Sequence, residues 1–402
     1  MLNRDGLPSE SVTSISVDIS HILNELGEEH NPYYNAVAPP IIQTSNFMFP
    51  DVETMRRMFP HEFELPIYTR GNNPTVEILR KKLAALEGSE DALVLASGSA
   101  AIATAVIANV NQGDHIVSVA KPYSWTTKLM QNFLPRFGVT TTFVDGTDVR
   151  NFENAIQPNT KVIYLESPNT FTFELQDLAA VANLAKERGI VTMIDNSYST
   201  PLYQKPVELG IDIVLYSASK YIGGHSDVVA GVICGTREMM RKIFYSEYMT
   251  LGGIISPMNA WLLIRGLRTL PLRLERSART AADVVAYLEN HPKVRRVYFP
   301  YSKTNPQLEL AQRQMTGCGG LLTISIETDQ IEVVDRFANA LKRFLLGVSW
   351  GGHESLAFPA SSGYPDGTAQ PGDTGFNLIR LYIGLEEPAV LIADLKQAFE
   401  HI

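Results

Sequence analysis

The stretch Ser217-Ala218-Ser219-Lys220-Tyr221-Ile222-Gly223-Gly224 sets one lysine among hydroxyls and glycines, directly after the apolar run Asp212–Ser217. Lysine is almost never fully buried unless paired, and a desolvated lysine amine forms Schiff bases with carbonyl compounds. Ser217 and Ser219, at alternate positions, can offer both hydroxyls to one anion. The same stretch also reads as an exposed lysine in a Gly-rich turn. Asp195 ends a second apolar run, Ile190–Asp195, and precedes Asn196-Ser197. A carboxylate there can pair with a protonated ring nitrogen, which needs a persistent anion close by, or it can cap the turn that follows. In Ala96-Ser97-Gly98-Ser99-Ala100-Ala101 small residues open a helix after a strand. Free N–H groups and the helix dipole make such an end a phosphate cradle, although small residues also serve βα turns for steric reasons. Finally, Tyr68-Thr69-Arg70-Gly71-Asn72-Asn73-Pro74-Thr75 offers a guanidinium fork and a phenol hydroxyl, or else a surface loop opening a capped helix.

These groups need elements to hold them. Residues 1–65 carry Pro32, Pro39, Pro40, Pro50 and Pro60 with only short apolar stretches. Such an arm buries little of itself, so it either packs on something else or stays partly mobile. From about residue 75 the pattern alternates. Helical stretches are expected at Val76–Glu87, Ser99–Val110 and Asp177–Arg188, with strands at Ala92–Ala96, His115–Ala120, Lys161–Glu166, Ile190–Asp195 and Asp212–Ser217. Alternation of this kind argues for an α/β fold with a mostly parallel sheet covered on both faces, whose ligands bind beyond the carboxyl ends of the strands. Near residue 255 the pattern changes to helices Pro257–Leu267 and Arg276–Asn290. Strands Val294–Phe299, Leu321–Glu327 and Ile379–Gly384 and helices Ile331–Phe344 and Pro388–His401 follow. That reads as a smaller α+β domain. The expected division is an arm at 1–65, a large α/β domain at 66–255 and an α+β domain at 256–402.

Composition narrows the function. The 402 residues carry 43 acidic and 34 basic side chains, a net charge of −9, which disfavours a nucleic-acid partner. No apolar run approaches the roughly 20 residues needed to span a bilayer, and MLNRDGLPSESVTS lacks an apolar leader core. Two cysteines, Cys234 and Cys318, form no disulfide framework and fit a reducing compartment. The eight histidines show no H-x-x-H or H-x-x-x-H pair, so no metal site is expected. A soluble, cytoplasmic protein is the expectation.

Taken in order, YTRGNNPT, ASGSAAI, IDNSY, SASKYIGGHSD, RGLRTLPLRL, SWGGHESL and LIRLYIGLE resemble the Cys/Met-metabolism (trans-sulfuration) family of pyridoxal phosphate enzymes. The likeness runs from about residue 30 to the C-terminus. It implies the aspartate-aminotransferase-like fold, with a seven-stranded, mostly parallel sheet, and pyridoxal 5'-phosphate as cofactor. By motif, Lys220 would carry the cofactor and shuttle protons, and Asp195 would keep its ring nitrogen protonated. Tyr123 would stack on the ring and act near the leaving group, while Gly98, Ser99, Ser217 and Ser219 bind the phosphate. Tyr68 and Arg70 would reach the site from a neighbouring subunit, with Tyr68 also near the substrate. Arg380 would clamp the substrate α-carboxylate beside Ser349; alternatively, it forms an internal ion pair with Glu386 or Glu387. The resemblance further implies a homo-oligomer, a dimer with shared sites and usually a tetramer.

Departures from the family pattern bear on specificity. Where the family commonly reads Glu-Ser-Pro-Thr-Asn-Pro, this chain has Glu166-Ser167-Pro168-Asn169-Thr170-Phe171. The asparagine of the motif is displaced by one position, and whether Asn169 replaces it is open. After Tyr123 stands Ser124-Trp125-Thr126, without the cysteine typical of methionine γ-lyases. Val348 replaces a glutamate frequent in γ-lyases and γ-synthases. Val348-Ser349-Trp350-Gly351-Gly352 is similar to bacterial cystathionine β-lyases instead, whereas YTRGNNPT is closer to the γ-enzymes. The expected activity is that of a carbon–sulfur lyase on cystathionine or a related sulfur amino acid, with β-elimination slightly ahead of γ. A γ-replacement enzyme (cystathionine γ-synthase or O-acetylhomoserine sulfhydrylase) is the alternative. A non-catalytic pyridoxal phosphate-binding homologue is the alternative from another class, and intact Lys220, Asp195 and Arg380 argue against it.

Overall fold

The computed structural model describes residues 18–364 and 375–402. The opening residues, from which the lack of an apolar leader is read, and the first part of the expected arm lie outside the described residues.

Seven strands form the first sheet: β1 Asp91–Leu95, β2 His115–Val119, β3 Thr140–Val144, β4 Thr160–Glu166, β5 Val191–Asp195, β6 Ile213–Ser217 and β7 Gly231–Gly235. Their spatial order is β1-β7-β6-β5-β4-β2-β3. Pairs β2–β3, β2–β4, β4–β5 and β5–β6 are parallel, and β7 runs antiparallel to both neighbours. The central strands are buried on both faces, which is why they read as continuous apolar runs rather than alternating ones. Thus the expected seven-stranded, mostly parallel sheet is present.

Two of these strands are absent from the sequence-based expectation. β3 is the polar run Thr-Thr-Thr-Phe-Val at the sheet edge, where packing demands little apolar surface. β7 is bounded by glycines and so reads as loop. The expected helices recur as Pro74–Glu87, Gly98–Ile107 and Leu178–Glu187.

A second sheet is built from β8 Val294–Tyr298, β9 Leu321–Ile326, β10 Leu345–Leu346, β11 Leu356–Pro359 and β12 Leu378–Tyr382, in the order β10-β11-β12-β9-β8. Short β10 and β11 are further additions to the expectation. The helix expected from Arg276 begins earlier, at Leu270. Pro271 falls in its first turn, where a missing N–H costs nothing, so it does not break the helix.

The described part of the N-terminal segment is anchored on its own chain. Ile22 and Leu23 of helix Ile19–Asn24 are buried against helix Pro74–Glu87. The Lys82 ammonium donates to Ile22 O at 2.9 Å and pairs with buried Glu28 at 3.0 Å. Trp261 Nε1 donates to Pro39 O, and Asn73 Nδ2 to Ile42 O. The prolines leave backbone carbonyls free of regular structure, and side chains of the same chain take them up. Between and beyond these anchors Tyr34, Val37, Met48, Val52 and Phe59 are exposed.

Candidate active site

β6 delivers Lys220. After Ser217 the chain closes a tight turn: Lys220 N donates to Ser217 O, Gly223 N to Ala218 O and Gly224 N to Lys220 O. The loop between β10 and β11 lies against this turn. Gly351 has φ +90°, and a Cβ there would fall 2.7 Å from Tyr221 N and 2.9 Å from Lys220 Cα. Glycine therefore sets how close the second sheet comes to Lys220. Tyr221 locks the contact, its hydroxyl accepting from Gly320 N at 2.8 Å and its ring meeting Trp350 and Tyr382 edge-on.

Lys220 Nζ donates to Ser349 Oγ at 2.7 Å. Burial, reinforced by the Arg380 cation, pushes its amine down to about 8, and Asp195 opposes the shift. Arg380, on β12, is 9% exposed; its Nη2 donates to Val348 O at 2.6 Å. Among the described residues no carboxylate lies within ion-pair distance of it. Glu386 is occupied by Ser355, and Glu387 pairs with Arg276 at 2.8 Å. The internal ion pair weighed for Arg380 is therefore not formed. Its buried guanidinium faces a desolvation cost that an anion from outside would offset.

Asp195 sits at the carboxyl end of β5, 9% exposed, with Oδ1 accepting from Ser197 N at 2.9 Å. Burial raises its pKa; the Ser197 hydrogen bonds and Lys220 pull the other way. Its neighbour across the ladder is Glu166, at the end of β4. Glu166 is buried too, and its Oε2 accepts the Tyr123 backbone N–H at 2.6 Å. Burial, then the Asp195 charge, raise it to about 8. Glu166 was not among the residues expected to act. The available signal was its place, since it ends an apolar run just as Asp195 does.

Tyr123 is 39% exposed at the start of helix Ser124–Lys128, its backbone pinned by Glu166. Ser97 caps helix Gly98–Ile107 by accepting from Ala100 N, which leaves the Gly98 and Ser99 N–H groups at the helix mouth. A Cβ on Gly98 would lie 2.9 Å from Ser217 Cβ, so glycine allows the helix end to meet the β6 end. Ser219 Oγ accepts from Ala230 N at 3.0 Å and donates to Ala230 O at 3.3 Å, tying that hydroxyl to the segment entering β7. Asn169 is buried, donating from Nδ2 to Ala120 O at 3.3 Å, and its Oδ1 has no partner. Tyr68 and Arg70 are exposed and stack on each other at 5.1 Å. Among the described residues, no hydrogen bond or ion pair links either to Lys220, Asp195 or Arg380.

A depressed amine, a buried carboxylate that forms no ion pair among the described residues and a glycine-opened helix mouth suit an aldehyde, a ring nitrogen and a phosphate respectively. This donor set fits pyridoxal phosphate. The Cys/Met metabolism PLP-dependent enzyme family model matches residues 21–400. An L-methionine gamma-lyase of Treponema denticola is 39% identical, covering 100% of both chains. The cystathionine beta-lyase MetC of Bacillus subtilis is 36% identical over 93% of this chain and 95% of its own. The crystal structure of metB from Corynebacterium glutamicum superposes with a TM-score of 0.89 at 31% identity, covering 96% of this chain and 98% of that one. Fold, cofactor class and the expected kind of enzyme agree with these matches. The chain belongs to the Cys/Met-metabolism family of pyridoxal phosphate-dependent enzymes.

Proposed function

We propose that this protein is a carbon–sulfur lyase that cleaves cystathionine or a related sulfur amino acid by β- or γ-elimination, releasing a thiol, ammonia and an α-keto acid. The observation that carries this reading is the buried Arg380 guanidinium, without a carboxylate partner among the described residues, beside the Lys220–Ser349 pair. It is a place for an amino-acid carboxylate next to a low-pKa amine. Bound pyridoxal phosphate supplies an electron sink for charge that develops at the substrate Cα. Lys220 would hold the cofactor until the substrate amine displaces it, and the freed neutral amine would then take the α-proton; Ser349 orients that amine. Asp195 would keep a proton on the ring nitrogen, Tyr123 would cover the ring, and Gly98, Ser99, Ser217 and Ser219 would hold the phosphate.

Arg380 fixes the carboxylate, which aims the Cα–H bond at Lys220 Nζ. γ-Elimination also requires removal of a β-proton, which would fall to Lys220 as the amine in the site. Tyr68 and Arg70 complete the site of a neighbouring subunit in a dimer or tetramer. The exposed apolar side chains Tyr34, Val37, Met48, Val52 and Phe59 of the arm support this assembly. An arm at 1–65 contacting a neighbouring subunit, a large cofactor-binding α/β unit at 66–255 and a C-terminal α+β unit at 256–402 are the proposed domains. No described helix is long and apolar enough to cross a membrane.

Product analysis with cystathionine, methionine, cysteine and O-acetylhomoserine tests the reading. Pyruvate and homocysteine from cystathionine mark β-cleavage, and 2-oxobutyrate with cysteine marks γ-cleavage. Consumption of an added thiol with O-acetylhomoserine, and no keto acid, would replace the lyase by a γ-replacement enzyme.

A further inference from the structure

The loop that follows β4 carries Phe171 into the active site in a conformation that aromatic residues rarely adopt. Its φ is +65°, in the left-handed region, and Phe173 two residues on has φ +53°. The turn is held by Asn169 N donating to Glu174 O at 2.9 Å and Phe173 N to Asn169 O at 3.1 Å. At its base, Thr170 Oγ1 donates to Glu166. A bulky side chain held at positive φ is strained, and strain of this kind persists where surrounding structure enforces it. The related motif has proline at this position. Proline fixes φ near about −65°, so the turn seen here is closed to that sequence.

The strained turn brings the Phe171 ring centroid to 5.4 Å from the Arg380 guanidinium carbon. Phe358, directly opposite Arg380 across β11 and β12, lies at 5.1 Å, and the two rings are 5.7 Å apart. The guanidinium thus sits in a corner of two aromatic rings, one supplied by its own sheet and one by the loop after β4. Its Nη2 is tied to Val348 O. A cation against ring faces is stabilised without using up its N–H donors. The remaining fork is left free for a carboxylate, and apolar walls keep water from competing with it.

Resting on the reading of Arg380 as the carboxylate clamp, we infer that Phe171 is a positioning residue for substrate binding, holding the Arg380 fork so that this chain selects amino acids through their α-carboxylate. Its ring meets Arg380 and Phe358, so its effect falls on binding rather than on proton transfer.

The test uses the holoenzyme and the absorbance change of bound pyridoxal phosphate on titration with glycine, and separately with methylamine, which is the same amine without a carboxylate. Phe171→Ala should weaken glycine binding by about 5- to 30-fold, the span from an exposed to a desolvated cation–π contact, and leave methylamine binding unchanged. KM for cystathionine should rise with it while kcat stays within a factor of about two. Phe171→Tyr should behave as wild type, and Phe171→Leu, which keeps bulk without a ring face, should follow Phe171→Ala. Equal loss for glycine and methylamine, or wild-type glycine binding in Phe171→Leu, overturns the inference. If Phe171→Ala does not fold, the Leu and Tyr variants decide alone. Wild-type protein that binds glycine in this Phe171-dependent way yet cleaves no sulfur amino acid would sink the lyase reading and leave the positioning role standing.

Discussion

Glu166 and Asp195 face each other as register partners at the carboxyl ends of β4 and β5, two buried carboxyl groups side by side. Such a pair cannot both ionise cheaply. Glu166 holds the Tyr123 backbone, and Asp195 is the acid proposed to serve the ring nitrogen.

The pair makes a prediction about pH and stability. In the fold Glu166 is raised from 4.5 to about 8, by burial first and by Asp195 second. The native state therefore binds more protons than the unfolded state between those values, and stability falls as pH rises through that window. Glu166→Gln removes this titration and keeps an acceptor for Tyr123 N. Relative to Glu166→Gln, the wild-type apoprotein should melt at progressively lower temperature from pH 5 to pH 8, by at least about 2 °C. Glu87 is raised to about 8 as well, but it is common to both proteins and cancels. Parallel melting curves across that range would show that Glu166 does not take up a proton there.

Lys220 gives a prediction of opposite character. Its amine is lowered to about 8, chiefly by burial and next by Arg380. Above that pH the neutral nucleophile predominates, so capture of pyridoxal phosphate by the apoprotein should accelerate as pH rises through about 8. Arg380→Gln removes the neighbouring cation, which should shift the profile to higher pH. Borohydride reduction followed by peptide mapping should place the pyridoxyl group on Lys220. A label on another lysine would reassign the site, and an unmoved profile would remove Arg380 from its electrostatics.

Arg380→Lys keeps a charge and loses the planar fork. Because Arg380 has no ion-pair partner to lose among the described residues, melting temperature should change little. Catalytic efficiency should fall by roughly the 2–5 kcal/mol expected when half of a buried charge pair is broken. Steady-state kinetics beside thermal melting separate the two. Early melting with unchanged efficiency per folded molecule would make Arg380 structural.

The parts of this site that the sequence announces are those where burial and chemistry coincide. Asp195 and Lys220 end or follow fully apolar runs, and the parallel core strands are continuous because both of their faces are covered. β3 was not legible because an edge strand of threonines needs no apolar face, and β7 because its glycines mimic a turn. Glu166 is not legible as a holder of Tyr123, because that partner is a backbone N–H 43 residues away, a relation that no local pattern carries. Phe171 marks a departure from a known motif, but its direction depends on a left-handed backbone angle invisible in the letters. The arm was half legible: its prolines signal irregular chain, yet the side chains that bind its carbonyls, Lys82, Asn73 and Trp261, lie far along the sequence.

The last prediction concerns how Tyr68 and Arg70 reach the chemistry. Both are exposed, and neither bonds to Lys220, Asp195 or Arg380 within the described part of this chain. The guanidinium has no recorded ion pair there either. If these side chains serve a neighbouring subunit's phosphate site, each active site draws on two chains. Arg70→Ala then disables the site it completes in the partner, and Lys220→Ala disables the site of its own chain. Alone, each variant should be nearly inactive. In a mixed dimer, one site inherits both defects and the other inherits neither. Equal mixing with full exchange makes half of the dimers hybrid, so activity should return to about a quarter of wild type for a two-fold symmetric dimer. Subunit exchange is verified by native mass spectrometry of differently tagged chains. Hybrids that form and remain inactive would place Tyr68 and Arg70 outside the neighbour's site, and melting both variants beside wild type guards against loss of folding as the cause.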